Sequence, residues 1–208
     1  MKERHSGVGI QHSGRDEDRR MPNADPRIPL HYCDLARGHP VHGPYHDCEY
    51  GFPQTDERVL LERLALEIMQ AGLSWEIVLK KRAALRRAFA AYRADVVAAF
   101  GVSEVERLLA DSTIIRNRRK IEAIIENARR IVALRTQGGF ARWLQEGAAL
   151  DRPAWLKRLK AAFVFMGPEI AGEFLMSLGL LPGAHRDGCP VGEKLKKGGT
   201  IRRSAFRE

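Results

Sequence analysis

Cysteine is scarce: there are three residues, Cys33, Cys48 and Cys189, an odd number in a chain of 208. That excludes a disulfide scaffold and points to a reducing compartment, with the cytoplasm as the expected location. No stretch has the roughly 18 or more uninterrupted apolar residues of a membrane span, so no membrane association is expected. The first thirty residues are polar and charged and carry no secretory signal. Strand-like alternation persists nowhere and no internal repeat is evident, which argues against sheet-based and solenoid architectures.

Apolar content is that of an ordinary globular protein, and the length suffices for one domain with a real core. The net charge is +9, with a sequence pI near 9.8. A basic surface concentrates polyanions, nucleic acid being the usual one. Much of the excess lies outside the expected fold, however. Residues 191–208 hold six Lys/Arg against two acids, whereas residues 1–28 are almost balanced. Residues 1–28 lack apolar periodicity and are expected to be disordered, and residues 192–208 are expected to form a flexible basic tail.

Residues 29–191 are expected to fold as a compact all-α domain. Thr55 or Asp56 caps a helix running to about Gln70, and Ser74 starts a second over 75–92. Ser103 and Glu106 form a capping-box pattern for a third over 104–111. A long helix covers about 117–136 and stops at Gly138–Gly139. Helices from Pro153 and from Pro168 flank an apolar turn, "AFVFMG".

One short stretch carries unusual chemistry. In "LEIMQAGLSW" (66–75), Leu60, Leu64, Ile68 and Ala71 share one helix face, Glu67 borders it, and Arg58 and Glu62 point away. A carboxylate beside a buried stripe loses solvation unless something hydrogen-bonds it. Two readings follow. Glu67 pairs with Arg63 on a solvated edge, or it waits for a ligand with Gln70 one turn on and Trp75 as a stacking surface. An aromatic face with a carboxylate suits a cationic ring, such as a methylated nucleobase.

Two further patterns stand out. Cys33 and His46 are thirteen positions apart, and His185 and Cys189 are four apart. Two thiolates and two imidazoles would complete a closed, structural zinc site stapling the two ends of the domain; the alternative is four scattered residues. His31, His39 and His42 are spare imidazoles nearby, and Cys48 reads as a free thiol. The second pattern is a helical hairpin, 156–179. Gly167 permits close backbone approach or positive φ, and Pro168 suits a first helical turn whose free amides can hold a phosphate. An ordinary core hairpin is the other reading.

Taken together, "YHDCEYG" (45–51), "QAGLSWEIVLKKR" (70–82), "IIRNRRKIEAIIENAR" (114–129), "FVFMG" (163–167) and "HRDGC" (185–189) resemble the 3-methyladenine DNA glycosylase I family. This is a zinc-containing branch of the helix–hairpin–helix glycosylases, and the likeness runs from about Cys33 to Cys189. It implies excision of an alkylated purine, 3-methyladenine first, from double-stranded DNA by a monomer with no obligate protein partner; the alternative is a zinc-stapled protein that binds DNA lesions without glycosylase activity. It further implies zinc on Cys33, His46, His185 and Cys189, a base pocket of Tyr45, Glu67 and Trp75, and a DNA-gripping hairpin at Gly167. Glu67 becomes the catalytic, base-recognising acid, with Gln70 and Tyr50 among the base-binding residues. Leu35 and Tyr50 stand where the family carries tryptophans, which implies two less aromatic pocket walls. Ala162 replaces the glycine that usually opens the hairpin. Asp187, between two expected zinc ligands, is assigned to their support or to solvent rather than to catalysis.

Overall fold

The computed structural model describes residues 31–198, so the 1–28 segment and the chain beyond 198 lie outside the described residues. Eleven α-helices and no strand are found among them. Two short helices, α1 (Tyr32–Ala36) and α2 (His42–Cys48), precede α3 (Glu57–Gln70) and α4 (Trp75–Ala88). Then come α5 (Ala94–Ala98), α6 (Val102–Ala110), α7 (Arg118–Leu134), α8 (Gly139–Glu146), α9 (Arg152–Ala162), α10 (Pro168–Ser177) and α11 (Pro190–Lys196).

The central element is α3, which packs against α4, α7, α8 and α10. Asp56 caps it, its carboxylate accepting from the N–H groups of Arg58 and Val59. Every residue from Leu60 to Met69 is buried. A helix enclosed on all sides needs no single apolar stripe, and here the sequence pattern misleads. Glu62 does not face away. It is buried and receives two hydrogen bonds from Arg82, at 3.0 and 3.2 Å. Arg82 also binds both oxygens of Glu49, and Arg63 reaches the Glu49 side chain and carbonyl and the Ser177 carbonyl. This network fastens α2 to α3, α4 and α10.

Several expected boundaries move. The second helix ends at Ala88, because Ala90, Ala91 and Tyr92 take positive φ and fold Tyr92 back to stack on Phe89 at 5.9 Å. The cap of α6 is Gly101 with Glu104, whose carboxylate accepts from the Gly101 N–H at 2.8 Å, rather than Ser103 with Glu106. Glu106 instead pairs with Arg118. The tail boundary expected at 191/192 falls inside α11. Ser74 caps α4 as its sequence requires.

The turn between α9 and α10 is fixed from α7. Asn127, fully buried, donates to the Val164 carbonyl at 3.0 Å and accepts from the Val164 N–H at 2.8 Å. Arg130 donates to the Ala162 carbonyl. Positive φ falls on Phe165, while Gly167 is extended with φ −68°. Of the two uses open to Gly167, positive φ is not taken, which leaves the close backbone approach. Asn127→Ala should destabilise the fold by about 2 kcal/mol, since two buried backbone groups lose their partner; urea denaturation measures this.

Candidate active site

The end of α3, the start of α4, the 45–50 segment and one face of α10 enclose a cavity of about 330 Å³. That is at the small end of the range for ligand pockets. Tyr45, Tyr50, Trp75 and Tyr32 form its aromatic walls, with Glu67, Gln70, Glu173 and His31 as polar lining. The rings brace one another. Tyr45 meets Trp75 edge-on at 5.1 Å, and Tyr32 meets Tyr50 at 5.3 Å. Buried among such neighbours, the phenols of Tyr32, Tyr45 and Tyr50 are pushed above their ordinary range and remain protonated donors.

Glu67 is 4% exposed. The ion pair with Arg63 does not form: that guanidinium turns its two terminal nitrogens to Glu49, Ser177 and the Tyr45 hydroxyl. No hydrogen bond reaches the Glu67 carboxylate from the described residues, and it faces the cavity. Burial raises its pKa to about 8, Glu173 adds to the rise, and the charge of Arg63 opposes it. A buried acid with no partner beside aromatic faces is suited to a ligand that brings both positive charge and hydrogen-bond donors.

Behind the cavity, Cys33, His46, His185 and Cys189 converge, their ligand atoms all within 4.8 Å of one another. Neighbouring donors are 3.2 to 3.7 Å apart. Ligands of a tetrahedral zinc would stand roughly 3.3–3.8 Å apart, given the usual Zn–S and Zn–N lengths. The imidazoles are oriented for ligation. His185 Nε2 donates to the Tyr50 carbonyl at 2.8 Å, leaving Nδ1 for a metal. His46 Nδ1 donates to Asp47 at 2.7 Å, leaving Nε2. Such outer partners are what metal-binding histidines ordinarily have. The cluster can hold a metal.

A second grouping, His39, His42 and Glu76, is equally close in space. It fails the same test. His39 Nδ1 accepts from the N–H groups of Val41 and His42, so its proton sits on Nε2 and neither nitrogen is free to ligate. The spare imidazoles thus have other uses, and His31 caps α1.

On the far side of α10, a groove of about 1010 Å³ runs past the hairpin, lined by Arg130, Lys157, Lys160, Gly167 and Pro168 among others. A third cavity, of about 520 Å³, links the hairpin to the aromatic pocket.

With this geometry in view, the profile of the methyladenine glycosylase family matches residues 35–153. The chain belongs to that family. Among its relatives, the DNA-3-methyladenine glycosylase of Haemophilus influenzae is 32% identical over 178 residues, covering 76% of this chain and 96% of that protein. DNA-3-methyladenine glycosylase 1 of Escherichia coli K12 is 45% identical over 106 residues, 51% of this chain and 57% of that protein. A solved 3-methyladenine DNA glycosylase I from Staphylococcus aureus superposes with a TM-score of 0.69 at 29% identity, covering 77% of this chain and 95% of that one.

For this methyladenine glycosylase the expected site residues can now be placed. Tyr45, Tyr50, Glu67, Gln70 and Trp75 line one cavity, and Cys33, His46, His185 and Cys189 form one cluster. Leu35 does neither. It is 44% exposed and lies outside the cavity, so only the Tyr50 position changes a pocket wall. Asp187 is fully exposed and pairs with Lys196, which gives it the solvent role. Cys48 is an exposed free thiol. Sequence reasoning missed Tyr32, His31 and Glu173. Glu173 had a signal: "IAGEFLMSLG" repeats the pattern of one acid in an apolar helical run that singled out Glu67.

Proposed function

We propose that this methyladenine glycosylase hydrolyses the N-glycosidic bond of 3-methyladenine in double-stranded DNA, leaving an abasic site. The observation that carries the reading is the partnerless, buried Glu67 carboxylate facing a cavity walled by Tyr45, Tyr50 and Trp75. A base inside a duplex cannot be reached, so it is swung out at a cost of a few kcal/mol. It then stacks on Trp75 and Tyr45 and offers its amino edge to Glu67, with Gln70 alongside. Methylation at N3 makes the adenine cationic, so it departs as a neutral base without needing an acid. Glu67 selects the charged, donor-rich base over neutral adenine. Duplex carrying a methylated adenine should become alkali-labile at the lesion after incubation with the protein, while unmodified duplex should not. Intact methylated duplex after prolonged incubation would overturn the reading.

Zinc is the metal that suits the Cys₂His₂ donor set. Cys33, His46, His185 and Cys189 would hold it, and with all four positions filled by protein it supplies a cross-link and no chemistry. Two metal-binding thiols and one exposed thiol, Cys48, with no disulfide among the described residues, suit the reducing cytoplasm.

The hairpin grips the DNA backbone through the amides at the start of α10 and through Lys157, Lys160 and Arg130. A Cβ added at Gly167 would meet nothing within 4 Å in the protein. Gly167→Ala should therefore leave the melting temperature unchanged yet weaken DNA binding several-fold, because the added methyl meets the phosphate. Fluorescence anisotropy across a salt series measures this; wild-type affinity should also fall steeply with salt.

A further inference from the structure

We infer that Glu173, held by the Tyr50 hydroxyl, is a second catalytic carboxylate that faces the sugar of the flipped nucleotide and takes the proton of the attacking water. This rests on the glycosylase reading above.

The placement follows from the cavities. The aromatic pocket receives the base, and the cavity lined by Gly167, Pro168 and Glu169 opens at the hairpin that holds the backbone. A nucleotide's sugar lies between its base and its phosphate. In a flipped nucleotide spanning both cavities, the glycosidic bond must sit where they meet. Three side chains line both: Glu67, Gln70 and Glu173. Glu67, only 4% exposed, is the carboxylate assigned to the base edge. Glu173 is half-buried and stands on α10 six residues after Gly167, roughly 9 Å along the axis at 1.5 Å per residue.

Its chemistry fits that place. The Tyr50 hydroxyl donates to Glu173 Oε2 at 3.0 Å. No ion pair engages Glu173 among the described residues, so the other oxygen remains for the substrate. Tyr50 thus has a task a tryptophan could not perform in the same way, orienting a carboxylate through a phenol. The step balances simply. The C1′–N9 bond breaks and its electron pair leaves with the base, which becomes neutral. A water oxygen bonds to C1′, and its proton passes to Glu173 and then to solvent. Negative charge at this point also favours the oxocarbenium-like sugar.

The test is single-turnover excision of 3-methyladenine from duplex DNA by the wild type, Glu173→Gln and Tyr50→Phe at pH 9, with binding of free 3-methyladenine measured alongside. At that pH Glu67 is largely ionised in all three, so the effect of Glu173 on Glu67 is set aside. The expected result is a rate at saturation at least tenfold lower for Glu173→Gln, a smaller loss for Tyr50→Phe, and free-base binding within twofold of wild type. A Glu173→Gln rate equal to or above wild type overturns the assignment. If Glu173→Gln loses free-base binding, Glu173→Ser with added formate decides: formate-dependent recovery supports a carboxylate at this point, and no recovery overturns it. Failure of the glycosylase reading itself is distinguishable, since the wild type would then release no base.

Discussion

Glu67→Gln should lower single-turnover excision of 3-methyladenine at least tenfold while leaving the protein folded. One charge-assisted hydrogen bond is worth about 1.5–3 kcal/mol, and the amide keeps the size but loses the charge. The pH dependence sharpens the test. In the folded protein Glu67 ionises only near pH 8, mainly because burial penalises its charge and secondly because Glu173 is close. In an unfolded chain it would ionise near 4.3. Between those values the folded state holds a proton that the unfolded state has released. Stability therefore falls as pH rises from about 4.3 to 8 and levels off above. Glu67→Gln removes that slope, so the variant should melt higher than wild type at pH 9, by on the order of 10 °C, and much closer to it at pH 5. Excision at low substrate should run the opposite way in the wild type. It rises with pH as the carboxylate forms, and the variant is flat over the same range. A variant with wild-type excision would end the case for Glu67 as the base-recognising acid.

Loss of the Cys/His cluster should have the largest effect on stability. Cys189→Ser should abolish stoichiometric zinc and lower the melting temperature by well over 10 °C, because metal-binding energy of structural zinc sites is largely folding energy. The geometry explains the size. Cys33 and His46 lie at the start of the described chain and His185 and Cys189 near its end, so one ion would close a very long loop. The same segments carry the Tyr45 and Tyr50 walls and the Ala184 floor of the pocket, so the variant should lose excision as its melting point is approached. Metal analysis of purified protein with calorimetry, with and without chelator, measures both effects. Protein that contains no zinc and melts identically with chelator would contradict the assignment.

Local signals were legible where a single side chain decides the backbone. Asp56 and Ser74 announce their helices because each must cap free amides. Elsewhere tertiary contacts decide. The burial of Glu62 and Arg63 cannot be read from α3, because their partners Glu49 and Arg82 come from other elements. The short helices α1 and α2 have no periodicity to betray them and are held by their neighbours. In the site, Glu67 and Glu173 are each visible as one acid in an apolar run, but what holds Glu173 is Tyr50, 123 positions earlier in the chain. The Leu35 replacement looked like a lost pocket wall until the fold turned that residue to solvent.

The central claim is tested most directly by identifying the free bases released from methylated duplex DNA. Such DNA carries both 3-methyladenine and 7-methylguanine, each cationic. At the 6-position, adenine offers Glu67 an amino donor, whereas guanine carries the O6 acceptor there, which a carboxylate repels. Chromatography of the supernatant should show 3-methyladenine released by the wild type, little 7-methylguanine, and at least tenfold less 3-methyladenine from Glu67→Gln in the same time. Release of no base, or of 7-methylguanine as readily as 3-methyladenine, would contradict the account.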